Sequence, residues 1–267
     1  MNKDIRNIQQ ILLDMYRELD KLCEKYDLKI FLTGGSVLGA IRHKGFIPWD
    51  DDMDVALPRD DYEKLIGIAE KELPEHLKIV WISRPFHYRL IDTRYVLKLN
   101  TAYSKLLDSD EQAFISIDIQ PFDGVPKGLL GKMHSLKTLA FRACYKMCSP
   151  DRIIYDESWR EGWETRLLKL LKHFKYLFKN EEIWKKRFDK AMKQYDYKLC
   201  GNIADYVGKY KFKDIYPKNW WEPGQKVEFE NIRVLVPSEY DRYLKAIYGD
   251  YMKLPPERER IVHREEK

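Results

Sequence analysis

The sequence predicts an α+β domain, a mixed β-sheet flanked by helices and carrying a helical basic insertion. Three observations predict it. Apolar residues at 5, 8, 12, 15, 19, 22 and 26 recur at the three-four spacing of a helix. Residues 52–57 and 114–119 alternate, as strands do when one face is apolar. From 127 to 180 the chain carries twelve Lys and Arg against five Asp and Glu, in a helical pattern with few β signals.

The elements follow in order. The N-terminal rhythm gives one amphipathic helix over 4–26, suited to packing across a sheet; three heptads are few for a coiled coil. Lys29–Thr33 is a short apolar strand closed by Gly34-Gly35, and Ser36 starts a helix. A loop over 44–51 holds Gly45 and Pro48, and the strand over 52–57 is stopped by Pro58. Asp60-Asp61-Tyr62-Glu63 has the spacing of a capping box and opens a helix to Leu73. Further strands are expected at 78–82, 94–99 and 114–119. A hairpin over 226–236 turns at Glu230-Asn231, and a helix over 239–248 is capped by Ser238. The expected organisation is a core over 1–126, the basic helical insertion over 127–205, and a segment over 206–267 that completes the core.

Composition narrows the class. No segment approaches the ~20 apolar residues of a membrane span, and MNKDIRNIQQ lacks a signal peptide's apolar run, so a cytoplasmic location is expected. A net charge of +5 is too modest for a nucleic-acid enzyme's broad basic surface. Cys23, Cys144, Cys148 and Cys200 are irregularly spaced. Cys144 and Cys148 stand one helical turn apart, but no second Cys or His pair lies at zinc-ligand spacing, so reduced, packed thiols are expected. Residues 165–179 (TRLLKLLKHFKYLFK) mix Lys with Leu, Phe and Tyr at helical spacing. They read equally as a helix lying on an anionic membrane surface, at the inner face of the cell membrane, or as a core helix with a solvated cationic face.

The chemistry lies in the alternation. On strand 52–57, Asp52, Asp54 and Ala56 share one face while Met53, Val55 and Leu57 share the other. On strand 114–119, Ile115, Ile117 and Ile119 point inward and leave Ser116 and Asp118 opposite. Two strands thus offer three acids, each backed by an apolar floor, which a solvated acidic edge strand would not need. Clustered carboxylates repel one another unless a cation stands between them. Oxygen-only ligands suit Mg²⁺, or Mn²⁺ in its place, and a pair of such ions suits phosphoryl transfer. Upstream, Gly34, Gly35 and Ser36 form a glycine turn into a helix, where backbone N–H groups and the helix dipole favour a phosphate. Arg42, His43 and Lys44 close that helix, either as a simple cationic cap or to neutralise phosphate. Lys98, opposite Leu97 and Leu99 on its strand, is a further phosphate-contact candidate.

The run from Thr33-Gly34-Gly35-Ser36-Val37-Leu38-Gly39-Ala40-Ile41-Arg42-His43-Lys44 through Gly45-Phe46-Ile47-Pro48-Trp49-Asp50-Asp51-Asp52-Met53-Asp54 resembles the signature of the LicD family. Ile117-Asp118-Ile119-Gln120-Pro121-Phe122-Asp123-Gly124 resembles its downstream segment. Tyr248-Gly249-Asp250-Tyr251-Met252, Pro255-Pro256 and His263 resemble its C-terminal end. The resemblance implies a nucleotidyltransferase-like fold and the transfer of phosphocholine, or a related phospho-alcohol, from a CDP-activated donor. CDP-choline is the first-choice donor. The implied acceptor is a sugar hydroxyl of lipopolysaccharide, teichoic acid or capsule, lipid-linked if 165–179 binds a membrane; fukutin-like relatives transfer ribitol phosphate. By the same resemblance Asp52, Asp54 and Asp118 are metal-binding and catalytic. Asp118 would share a metal and orient or deprotonate the hydroxyl. Asp123 is the rival third acid, expected in the loop after the strand, and Asp50 and Asp51 would support the others from outside. Two alternatives remain open: a nucleotidyltransferase that leaves the nucleotide on its acceptor, and a non-catalytic glycan-binding protein of the same fold.

Overall fold

A computed structural model describes residues 3–82, 86–96, 114–148, 180–256 and 260. Lys98, the expected helix over 165–179 and His263 lie outside the described residues. Helix α1 (Lys3–Lys25) buries Leu12, Leu13, Met15, Tyr16, Leu19 and Cys23, the stripe that its periodicity lays out.

Strand β1 is only Phe31–Leu32, and helix α2 (Gly34–His43) begins two residues earlier than Ser36. Gly34 takes φ +53, a left-handed backbone that glycine adopts without penalty, and so the chain turns from strand to helix with no intervening loop. Strand β2 (Met53–Pro58) passes directly into helix α3 (Arg59–Glu72). The expected capping box does not form. Pro58 is the N-cap with no side-chain cap bond, and the Asp61 carboxylate accepts the Lys29 N–H at 3.0 Å instead.

Strands β3 (Leu77–Ile82), β4 (His87–Val96) and β5 (Phe114–Val125) follow. β4 begins well before the expected 94–99, because Arg89, Asp92 and Arg94 interrupt its apolar alternation. β5 continues to Val125, so Asp123 is part of the strand and not of a following loop. The sheet is mixed, with strand order β1-β2-β5-β4-β3. β2 and β5 run parallel in the register Met53↔Ile117, Asp54↔Asp118 and Val55↔Ile119; β1 pairs antiparallel with β2, and β4 pairs antiparallel with β5 and with β3.

Later in the chain come helices α4 (Gly128–Met147) and α5 (Glu181–Met192), strands β6 (Asn202–Ala204) and β7 (Ile215–Pro217), the hairpin β8 (Gln225–Phe229)–β9 (Ile232–Val236), and helix α6 (Tyr240–Tyr248). The α6 cap also differs from expectation: Glu239 is the N-cap, and the Ser238 hydroxyl accepts the Gly224 N–H at 2.9 Å. Fully buried Trp221 meets Phe31, Phe122, Tyr216 and Tyr243 at ring-centroid distances of 5.6, 4.4, 5.7 and 4.8 Å, locking this C-terminal part onto β1 and β5.

The chain divides into two compact units. One joins Met1–Phe122 with Asn202–Lys267; the other is Asp123–Gly201. The divisions fall at 122/123 and 201/202, compared with the expected 126/127 and 205/206. All four cysteines are free thiols. Among the described residues no helix is long and apolar enough to cross a membrane.

Candidate active site

The first unit gathers its acids at the β2–β5 seam. Asp54 and Asp118 are register partners on adjacent parallel strands, which sets the two side chains on one face. Asp52 immediately precedes β2, at the end of a loop that α1 holds in place. From α1, the buried Gln9 amide donates to the Ile47 carbonyl at 3.1 Å and to the Asp50 carbonyl at 2.8 Å. A second clasp lies behind the loop. Arg6 donates to both Glu230 oxygens at 2.8 and 2.6 Å, and the Glu230 N–H donates to the Lys44 carbonyl at 2.7 Å.

The glycine turn stands against these acids. A side-chain carbon on Gly34 would lie 3.5 Å from Asp54 Oδ2 and 3.9 Å from the Tyr248 hydroxyl; one on Gly35 would lie 3.1 Å from Asp50 Oδ2. Asp54 is stitched to the turn on both sides. Its N–H donates to Ser36 Oγ at 3.0 Å, and its carbonyl accepts the Thr33 N–H at 3.0 Å. Ser36 therefore has a positioning role as well as its expected place beside a phosphate. Of the first-turn N–H groups, that of Gly34 donates to the Tyr243 hydroxyl at 2.8 Å, and that of Ser36 to the Thr33 carbonyl at 3.0 Å.

The electrostatics separate the acids. Burial, then Asp52, pushes Asp50 up to about 8. Burial also raises Asp54 well above the usual carboxylate range, with Asp52, Asp118, Asp50 and Asp205 adding repulsion in that order. For Asp118 burial works the same way, but Arg89 and His87 outweigh it and hold the carboxyl well below its ordinary value. Arg89 Nε lies 2.5 Å from Asp118 Oδ1 and Nη2 3.4 Å from Oδ2, while His87 Nε2 lies 3.2 Å from Oδ2. Both residues come from β4, two positions apart, on the face that meets Asp118.

Arg42, His43 and Lys44 close α2 at its far end. A ten-residue helix separates them from the glycine turn by roughly 15 Å. Arg42 donates to the Tyr251 carbonyl at 2.7 Å and to His43 Nε2 at 2.9 Å; His43 packs edge-on to Trp49; Lys44 faces Glu228 at 3.7 Å. Burial lowers both the Arg42 and the His43 pKa. Asp123 is buried in the second unit, five positions along β5 from Asp118, and strand alternation assigns odd offsets to opposite faces.

Among the described residues no three acidic, His or Cys side chains converge, as they stand, tightly enough to enclose an ion. The donor chemistry does fit a hard divalent cation. The ligands are oxygens alone, and Asp54 bears the repulsion of four other carboxylates, which such an ion relieves.

Several residues reach this site without being expected there, although Tyr248 opens the C-terminal segment that resembles the family. Tyr243 and Tyr248 reach it from α6; Tyr248 stands edge-on to Tyr210, with ring centroids 6.4 Å apart. Asp205 adds its charge from after β6, its carboxylate accepting the Val207 and Gly208 N–H groups at 3.0 and 2.8 Å. Arg89 and His87 were open to detection by their i, i+2 spacing, had the strand been drawn from 87.

Residues 27–148 match the family model described as LicD/FKTN/FKRP, nucleotidyltransferase domain. Over 264 residues the chain is 30% identical to the lipopolysaccharide cholinephosphotransferase LicD of Haemophilus influenzae, an alignment covering 97% of this chain and 95% of the relative. Shorter matches of 36% identity over 50 residues link it to the uncharacterized proteins RP689 of Rickettsia prowazekii and RT0683 of Rickettsia typhi. Each covers 19% of this chain, and 19% and 16% of those proteins.

Proposed function

The chain belongs to the LicD family of phosphotransferases, and on that premise we propose that it transfers phosphocholine, or a related phospho-alcohol, from a CDP-activated donor to a sugar hydroxyl of a cell-surface glycan. The observation that carries this reading is the parallel register of Asp54 and Asp118, with the Gly34-Gly35 turn packed against the acids. Phosphocholine as the group and a glycan as the acceptor rest on the full-length relative, a lipopolysaccharide cholinephosphotransferase.

In the proposed reaction the acceptor hydroxyl oxygen attacks the phosphorus bearing the alcohol. The new O–P bond forms as the P–O bond to CMP breaks. The hydroxyl proton passes to solvent, and CMP departs with the electron pair. Asp52, Asp54 and Asp118 would hold Mg²⁺, as one ion or a pair, with Mn²⁺ as a substitute. The bound metal would neutralise the diphosphate and the charge developing on CMP. The chain's own groups do the rest. The first turn of α2 offers the Gly35 N–H and the positive end of its dipole to a phosphate oxygen. Asp118, kept ionised by Arg89 and His87, accepts a hydrogen bond from the acceptor hydroxyl and orients it. Arg89 also brings a fixed positive charge beside the transferred group.

The test is a donor screen. The protein is incubated with Mg²⁺, a glycan acceptor and CDP-choline, CDP-ribitol, CDP-glycerol or CDP-ethanolamine, and the released nucleotide is identified. CMP release that depends on both metal and acceptor supports the reading. In a parallel incubation with CTP and the same acceptor, pyrophosphate release with the nucleotide retained on the acceptor refutes it.

A further inference from the structure

We infer that the N-terminal half of α4 is a docking surface for an anionic lipid bilayer. That half is built inside out, while Leu139, Tyr145 and Met147 further along are buried. Leu129, Leu130, Met133 and Leu136 are 73%, 56%, 61% and 61% exposed, whereas His134, Ser135, Thr138 and Arg142 are buried. At 3.6 residues per turn, Leu129, Met133 and Leu136 fall within a sector of about 60°. Exposed Ala140 and Ala143 extend that stripe, and Leu130 stands at its shoulder.

The opposite face of the helix is packed. A side-chain carbon on Gly131 would overlap the Pro126 carbonyl oxygen, so backbone meets backbone there. The His134 ring packs edge-on to Tyr195 with centroids 4.7 Å apart, and Lys137 reaches Gln194. Among the described residues, the apolar stripe is left at the surface. A patch of this kind on a folded protein marks an interaction site.

Charge identifies the occupant. Across its twenty residues α4 contains no Asp or Glu. Exposed Lys132 and Lys137 lie on opposite flanks of the stripe, and exposed Lys127 precedes the helix. Lys137 donates to the neutral amide of Gln194, which leaves its charge intact. A second copy of the same face would set lysines against lysines with no acid on the helix to answer them. Anionic headgroups answer the lysines while the acyl boundary receives the leucines. Such docking needs no spanning helix, and it would hold the protein at a membrane whichever CDP-alcohol it uses.

Flotation of the full-length chain with lipid vesicles tests this. The chain is expected to float with phosphatidylcholine vesicles containing phosphatidylglycerol, to stay free of pure phosphatidylcholine, and to release as salt rises. The double variants Leu129→Ser/Met133→Ser and Lys132→Glu/Lys137→Glu should each bind about tenfold more weakly or worse. The serine variant should keep the wild-type melting temperature, since those side chains already face water, which separates lost docking from lost fold. No flotation with the anionic vesicles overturns the proposal, as does unchanged flotation of the serine variant. A concentration-dependent dimer abolished by the serine pair also overturns it and assigns the stripe to a second copy.

Discussion

The Tyr243 hydroxyl accepts the Gly34 N–H at 2.8 Å, a bond between residues 209 positions apart. Through it α6 controls the opening turn of α2, and that turn lies against Asp54. A residue far from the acid motif in sequence thus fixes the backbone on which a phosphate would rest.

Tyr243→Phe keeps the ring packing on Trp221 and Tyr216 and deletes only this acceptor. The expected cost is about 1 kcal/mol, or roughly 2–4 °C in melting temperature. Turnover should fall by about tenfold, because the glycine turn loses its alignment with the acids. Thermal unfolding beside steady-state kinetics checks both, and full activity with the lower melting temperature would confine Tyr243 to a structural role.

Asp54→Asn should reduce transfer by at least about a hundredfold while leaving the protein as stable as the parent, or more so. The sign follows from the repulsion that Asp52, Asp118, Asp50 and Asp205 exert on the buried Asp54 carboxyl, which an amide no longer feels. Near wild-type turnover in this variant would remove Asp54 from the metal site. A fall in melting temperature would contradict the repulsion.

Arg89→Gln leaves the half-buried Asp118 without its guanidinium partner and with His87 beside it, and should cost about 1–3 kcal/mol. Adding Asp118→Asn should return part of that loss, since the second change removes the stranded charge. Chemical denaturation of the two single variants and the double closes the cycle, and strict additivity would show that the pair does not interact.

The clasp between α1 and the hairpin predicts an acid dependence. A side-chain hydrogen bond from Arg6 holds the Glu230 pKa below its ordinary 4.5. Its stabilisation is therefore complete above that value and is lost as pH falls through the depressed folded pKa. Glu230→Gln should flatten this limb of the stability curve without changing the neutral-pH activity profile, as melting temperatures measured across the acid range would show.

Much of the core was readable because its signals are local. The stripe of α1, the alternation of Met53–Leu57 and the Ile115-Ile117-Ile119 floor each lie within a few residues. What escaped is non-local or masked. The β4 strand carries Arg89, Asp92 and Arg94 where apolar residues would announce it, and so the pattern does not point to Arg89 and His87 as the partners of Asp118. Asp61 and Ser238 have the chemistry of helix caps, yet tertiary partners claimed them: the Lys29 N–H for one and the Gly224 N–H for the other. Tyr243 looks like an ordinary stripe residue of an amphipathic helix, Tyr248 opens the segment that resembles the family, and only folding brings their hydroxyls to the glycine turn.

The unit that holds the acids is assembled from two stretches of chain with residues 123–201 between them. A ribosome that has just made residue 201 has delivered every carboxylate from Asp50 to Asp118, but neither the tyrosines of α6 nor the Glu230 that Arg6 grips. The N-terminal stretch must therefore wait, partly assembled, for its own completion, with slow non-local closure as the last step. Catalytic competence then arrives as a late event of synthesis, and nascent chains cut short before α6 are delivered without it.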